Sequence, residues 1–117
     1  MIYLAANNSR VWKFKKAGYP MGWMMSPAGW RRPVRGSDAM PFALDNGLFH
    51  PPTQPPKGMK ALPPFYRMLD LCRTGAWNPL FVVVPDVPYH GDVSRVLSSK
   101  HRRHLRAEYP NLRLAIA

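Results

Sequence analysis

The sequence predicts an α/β fold, a mostly parallel sheet with packed helices that resembles a partial (β/α)8 barrel. The segment LFVVV at 80–84 is β-branched, apolar on both faces and bounded by prolines, which is typical of a parallel strand covered on both sides. Short apolar runs alternate with amphipathic segments, which favours βαβ units. A closed barrel takes about 250 residues, and this chain has 117. We therefore expect one domain over 1–117: part of a barrel, a small open sheet, or a chain whose open sheet edge a partner covers.

The first half of the chain carries three predicted strands and one helix. Apolar runs predict strands over Ile2–Ala6, Met21–Ser26 and Pro41–Asp45. A helix is expected to begin at Ser9, whose hydroxyl suits an N-cap, and to end before Gly18. Its inward side chains are expected to be Val11, Trp12, Phe14 and Ala17.

The second half alternates in the same way after a proline-rich loop at 50–64. A helix is predicted over Pro63–Arg73, because Phe65, Met68, Leu69 and Cys72 share one face. The strand at 80–84 follows, and then a helix that Asp92 caps and that runs to about Tyr109. Leu112–Ala117 is the last predicted strand. The inward residues of the last helix are expected to be Val93, Val96, Leu97 and Leu105.

Positive charge is the strongest signal in the composition. Seventeen Lys and Arg face six Asp and Glu, which gives a net charge of +11 and an isoelectric point near 10.6. Such a surface attracts polyanions, so nucleic acid is the expected partner, although a basic surface without that role is the plain alternative. Trp23 and Trp30 are expected either to stack on bases or to pack in the core. Phosphate contacts are predicted for Arg31, Arg32, Arg35, Lys100, Arg102, Arg103 and Arg106.

Several classes of protein are disfavoured by the composition. One cysteine, Cys72, allows neither an intrachain disulfide nor a cysteine-rich zinc site. The four histidines lack metal-ligand spacing, so neither a metal nor a cofactor is expected. No apolar run reaches membrane-spanning length, so no membrane partner is expected. The N-terminal segment turns polar too early for a secretory signal, and a cytoplasmic location is expected, in the host cell if the chain is phage-encoded.

Three of the six acidic residues follow or precede elements at the predicted carboxyl edge of the sheet. Asp45 ends one strand, Asp86 follows another, and Asp92 begins a helix. Functional groups of parallel α/β proteins gather at this edge, so Asp45 and Asp86 are expected to share a pocket, with Phe49 and His90 nearby. Asp45 also suits a turn and Asp92 an N-cap, whereas Asp86 has the weakest structural reason to be there. His90 is either a ligand or acid, or a solvated loop histidine.

The stretches PFALDNGLFH and LFVVVPDVPYHGD resemble motifs of the tRNA-guanine transglycosylases, nearest to phage and bacterial relatives that insert 7-deazaguanines into DNA. The resemblance implies that the chain corresponds to the N-terminal half of such a barrel. It implies a catalytic role for Asp45 near the reactive sugar, and recognition of a guanine edge by Asp86. Asn46, Phe49 and His90 would lie on the substrate side, with a core role equally open for Phe49. The family's nucleophilic Asp would lie further along the chain, so we expect this chain to be inactive alone. The family's zinc-binding cysteines are absent.

Three functions of different classes follow from these observations. The first is a transglycosylase-like, nucleic-acid-directed protein, completed by a C-terminal half and with DNA favoured over RNA. The second is a small phage-type inhibitor, an anti-CRISPR or other anti-defence protein, that binds a host nucleoprotein. The third is a non-enzymatic basic module that binds nucleic acid. The partners to consider are therefore nucleic acid, a host nucleoprotein, and a second chain covering the open sheet edge.

Overall fold

The computed structural model describes residues 2–6, 9–36, 39–48, 62–86 and 91–116. It confirms the predicted α/β class: five strands form one sheet in which every pair is parallel. The strands are β1 (Tyr3–Ala5), β2 (Met21–Met25), β3 (Phe42–Leu44), β4 (Val82–Val83) and β5 (Leu114–Ala115). The helices are α1 (Ser9–Lys16), α2 (Leu62–Thr74) and α3 (Gly91–Glu108).

Strand order follows chain order without reversal, from β1 to β5. A doubly wound sheet reverses its order at a switch point, whereas a (β/α)8 barrel keeps sequential order, so this sheet is consistent with part of a barrel. Helices of a barrel lie on one face of the sheet, and the core here has that form. Val11 of α1, Phe65 of α2 and Leu105 of α3 belong to one buried cluster with Phe42 and Val82 of the strands.

Alternation along the strands separates two faces of the sheet. Successive side chains of a strand point to opposite faces. Trp23, Met25 and Leu44 lie in the cluster that packs on the helices and are almost fully buried. Met24 of β2 and Ala43 of β3 point to the opposite face of the sheet. Met24 is only partly buried, whereas Ala43 is fully buried. This second face corresponds to the interior of a barrel.

The helices differ from the sequence expectation in their apolar stripes. Phe14 was expected inward, but its side chain is 50% exposed and packs edge-on against Tyr19 with ring centroids 5.7 Å apart. Val96 was also expected inward and is 68% exposed. In both helices the buried stripe is narrower than the run of apolar residues, because each helix is covered on one side only. α2 begins at Leu62, so 62–64 belong to this helix rather than to the preceding loop.

The C-terminal ends of α2 and α3 are joined by polar contacts. Asp70 accepts a hydrogen bond from the Tyr109 hydroxyl at 2.5 Å and one from Arg73 at 2.9 Å. The Arg73 guanidinium also lies 4.6 Å from the centre of the Tyr109 ring. Burial, and then the bond to Asp70, raise the pKa of Tyr109 to about 12, so this hydroxyl stays protonated and keeps donating. These contacts tie the C-terminal end of α3 to the C-terminal end of α2. None of the helices in the described part of the chain is long and apolar enough to cross a membrane.

Candidate nucleic-acid interface

The carboxyl end of β3 is a tight turn built by Asp45, Asn46 and Gly47. The Asp45 amide donates to Met25 O at 2.7 Å, which extends the ladder with β2. The chain then turns through Gly47, whose φ of +75° is a left-handed conformation that glycine adopts without steric cost. The Asn46 Oδ1 accepts from the Leu48 amide at 2.8 Å. Asn-Gly therefore performs the turn that its sequence predicts.

Asn46 connects this turn to the end of β4. Its side chain is 2% exposed, and its Nδ2 donates to Val84 O at 3.0 Å and to Asp86 Oδ1 at 2.6 Å. The amide thus uses both N–H groups and its oxygen, so its orientation is fixed by three bonds. The Asn46–Asp86 hydrogen bond is charge-assisted, and it holds the Asp86 carboxylate in place.

The predicted site residues of this edge are placed as follows. Asn46 and Asp86 lie together, and Asn46 rather than Asp45 is the residue that reaches Asp86. The Asp45 Oδ2 faces the Gly47 amide at 3.4 Å, within its own turn. Phe49 and His90 lie outside the described residues, as do 50–61 of the proline-rich loop. A shared pocket for Asp45 and Asp86 stays a prediction. The second oxygen of Asp86 has no hydrogen-bond partner among the residues that the structure describes.

α3 carries four of the predicted phosphate contacts, Lys100, Arg102, Arg103 and Arg106. Arg95 pairs with Asp92 at 3.2 Å, with both side chains largely exposed, a contact of little energetic weight. Lys100, Arg103 and Arg106 are exposed and Arg102 is half-buried. Within the described ranges no carboxylate pairs with these four cations, so their charge is available to an anion.

His101 belongs to the same run in the sequence but not to the same surface. It is 7% exposed, and its Nδ1 lies 2.6 Å from the Tyr66 hydroxyl of α2. Burial, and then the charges of Lys100 and His104, lower the pKa of this imidazole, so it is neutral at pH 7. In the sequence His101 stands between Lys100 and Arg102, which are predicted phosphate contacts, whereas the structure makes it part of the α2–α3 contact. The helical period supplies the reason, since Leu105 four residues later is also buried.

Two of the predicted phosphate contacts, Arg32 and Arg35, line a groove. We call this the Trp–Arg groove; it has a volume of about 490 Å³, and Trp30, Arg32, Arg35, Leu71 and Trp77 line it. Arg31 is not part of the lining, and its guanidinium donates to Trp30 O at 2.9 Å. The segment between β2 and β3 has no α-helix in its described residues 26–36 and 39–41, and it carries Trp30 and both arginines.

Trp77 is the centre of this groove, and the sequence did not single it out. The Arg35 guanidinium lies 4.8 Å and that of Arg32 5.9 Å from the centre of the Trp77 ring. Trp30 meets the same indole edge-on, with ring centroids 6.3 Å apart. These partners are more than forty positions away along the chain, so no local pattern could have identified Trp77. Trp23, in contrast, is 4% exposed and packs in the core.

The turn that carries Trp77 is held in an unfavourable conformation. Ala76 has a φ of +55°, which costs a non-glycine residue about 1–2 kcal/mol. The Trp77 Nε1 is buried without a hydrogen-bond partner among the described residues, a further cost of about 1–3 kcal/mol. The Trp77 amide donates to Cys72 O at 3.1 Å and Cys72 Sγ donates to Trp77 O at 3.2 Å, and these bonds keep the turn in place.

The described part of the chain contains no group of three or more His, Cys, Asp or Glu able to hold an ion. No family model, curated protein or solved structure matches this chain. Three features of the described residues present polar groups suited to a ligand: the Asn46–Asp86 pair, the cations of α3, and the Trp–Arg groove.

Proposed function

We propose that this protein binds nucleic acid, with the exposed face of α3 on the phosphate backbone. The observation that carries the proposal is the set of four cations on that helix, Lys100, Arg102, Arg103 and Arg106, which no described carboxylate neutralises. The Asp70–Tyr109 and Arg73–Tyr109 contacts hold α3 against α2. A rigid row of cations suits a polyanion with regularly spaced charges, and the net charge of +11 strengthens the attraction at long range.

Replacing Arg102 and Arg103 by Gln should weaken binding to all sequences alike. Each lost phosphate contact should reduce the slope of log affinity against log salt by about 1, and so by about 2 for the pair. Fluorescence anisotropy with two unrelated DNA duplexes, at several salt concentrations, measures both quantities. The double variant K13Q/R67Q removes two exposed cations from α1 and α2 and is the charge-matched control.

Two outcomes would contradict this proposal. One is wild-type binding that does not change with salt, or that is absent at low salt. The other is an equal loss of affinity in R102Q/R103Q and K13Q/R67Q, which would assign binding to net charge rather than to α3.

A second, finer candidate is recognition of a guanine-type base at the carboxyl edge of the sheet, as the transglycosylase resemblance implies. The observation that favours it is the Asn46 Nδ2–Asp86 Oδ1 bond of 2.6 Å. That bond fixes a carboxylate whose other oxygen no described residue uses. Guanine presents N–H donors on its Watson–Crick edge, and a held carboxylate is a suitable acceptor for them. Catalysis by Asp45 belongs to the same candidate and needs a nucleophile that the described residues do not supply.

Asp86→Asn tests this candidate with little disturbance of the fold. The new amide keeps one carbonyl oxygen for the Asn46 N–H, but its NH2 group would confront the donors of the base. We expect wild type to prefer a thymidine strand containing one guanine over the all-thymidine strand by about tenfold. D86N should lose that preference while its affinity for the all-thymidine strand stays unchanged. A wild-type protein that binds both strands equally would contradict base recognition, whatever the variant does.

A further inference from the structure

The Trp–Arg groove lies at the opposite edge of the sheet from the Asn46–Asp86 pair, and none of the α3 cations is among its described lining residues. It is bounded by the segment between β2 and β3 on one side, and by Leu71, Thr74 and Gly75 at the end of α2 on the other. That end of α2 leads into the amino end of β4, whereas Asn46 and Asp86 follow the carboxyl ends of β3 and β4. A ligand in the groove is therefore bound at a different edge of the sheet from a ligand of Asp86.

Two chemical properties of the groove restrict its ligand. Its walls combine two indoles with two guanidiniums, and none of its described lining residues is acidic. Arg35 donates to Gly75 O, so its guanidinium is held by a neutral carbonyl, and no carboxylate of the described residues pairs with it. A ligand that matches must carry negative charge and present a flat surface, because indole and guanidinium planes both stack on aromatic rings.

The geometry of the walls is fixed before any ligand arrives. Arg35 and Arg32 rest over Trp77, Trp30 meets it edge-on, and Pro33 between the two arginines is buried. The turn at Ala76 and the unpartnered Trp77 Nε1 carry a local energetic cost. Such costs gather at ligand clamps, where the surrounding structure enforces them. The volume of about 490 Å³ lies within the usual range of ligand pockets, about 300–1,000 Å³.

We propose that the Trp–Arg groove binds one unpaired nucleotide. Its base stacks against Trp30 and against the guanidiniums that lie over Trp77, and its phosphate binds to Arg32 and Arg35. The source of that nucleotide is either an unpaired position in a nucleic-acid strand or a free nucleotide. The strand source rests on the proposed function. A base inside a duplex is already stacked on both sides and cannot enter, so the groove gives the protein a preference for single strands.

The test compares three probes with two double variants. The probes are a fluorescent thymidine oligonucleotide of about ten nucleotides, which lies within the usual site size, an abasic strand of the same length, and free 5′-TMP. R32Q/R35Q removes both guanidiniums of the groove, and K13Q/R67Q removes the same charge elsewhere. We expect R32Q/R35Q to bind the thymidine strand about tenfold or more weakly than K13Q/R67Q does, with a clearly smaller difference on the abasic strand, which keeps the phosphates but has no base to stack. Trp30→Ala should reproduce the base-dependent loss without changing charge.

The outcomes separate this inference from the proposed function. If wild type binds strands but the two double variants lose affinity equally, the groove is rejected while binding through α3 stands. If wild type binds no strand, the proposed function fails, and quenching of tryptophan fluorescence by 5′-TMP that R32Q/R35Q abolishes would still establish the groove. If the wild type neither binds a strand nor shows quenching of its tryptophan fluorescence by 5′-TMP, the nucleotide site in the groove is rejected. Competition by a polyglutamate peptide as strong as that by the thymidine strand would also overturn it, because the site would then recognise charge alone. Circular dichroism of each variant checks that the fold is retained.

Discussion

Asn46→Asp is expected to destabilise the protein by about 3–5 kcal/mol at pH 7, within the range measured when a buried charge is left without a partner. The wild-type Nδ2 donates to Val84 O and to Asp86 Oδ1. In N46D an oxygen takes the place of that nitrogen and faces both of these oxygens. The bond to Asp86 is lost, and two carboxylates then repel each other at a nearly buried position.

The pH dependence of N46D distinguishes this repulsion from simple loss of a bond. The neighbouring carboxylate and burial raise the pKa of the new acid in the folded state above its ordinary value of about 3.9. A group with a raised folded pKa destabilises increasingly as pH rises above the unfolded pKa, so the deficit of N46D should shrink as pH falls from 7 toward about 4. Urea unfolding at several pH values measures the difference from wild type.

Asn46→Ala is the matched control for this experiment. It removes both bonds of Nδ2, as N46D does, and also the bond that Oδ1 accepts from the Leu48 amide. These losses should cost about 2–3 kcal/mol. No new ionisable group is added, so its deficit relative to wild type should change far less with pH. A deficit of N46D below 1 kcal/mol, or one that does not change with pH, would show that Asn46 is not clamped between the two strand ends.

The sequence predicted the fold more completely than the site, and the reason is the range of the interactions involved. A strand such as LFVVV or a helix such as Pro63–Arg73 is encoded by residues a few positions apart, so the pattern is visible in one chain. The position of Asp86 after β4 was likewise predictable from a local rule on strand ends. Its contact with Asn46 was not, because that bond joins residues forty positions apart.

The Trp–Arg groove is a second feature that depends on contacts between residues far apart in the sequence. Arg32 and Arg35 were predicted as cations on a loop, with phosphate as their partner. The structure adds that both lie over Trp77, which turns a patch of charge into a shaped surface. His101 is the opposite case, since it stands among predicted phosphate contacts in the sequence but is buried against Tyr66 and neutral. The direction of its side chain around the helix distinguishes His101 from Arg102 and Arg103. A count of charges along the sequence cannot make this distinction.

Gly75→Ala is expected to destabilise the protein by about 2–3 kcal/mol, within the range for forcing an extra methyl group into a packed site. A Cβ at Gly75 would overlap the six-membered part of the Trp77 indole. The indole cannot move away freely, because Trp30, Arg32 and Arg35 all rest on it. Alanine next to a helix end would otherwise gain about 0.5–1 kcal/mol from its lower backbone entropy in the unfolded chain. The overlap is larger than this gain, so the net sign is destabilising.

A double-mutant cycle with Trp77→Ala identifies the cause of this loss. Removing the indole removes the overlap, so Gly75→Ala should cost less than about 0.5 kcal/mol in the W77A background, and the coupling between the two positions should be about 2 kcal/mol. Gly91→Ala is the control, because a Cβ there meets nothing within 4 Å, and it should be neutral or slightly stabilising. Equal costs for Gly75→Ala with and without the indole would mean that Trp77 does not lie against this glycine. That result would contradict the position of Trp77 at the centre of the Trp–Arg groove.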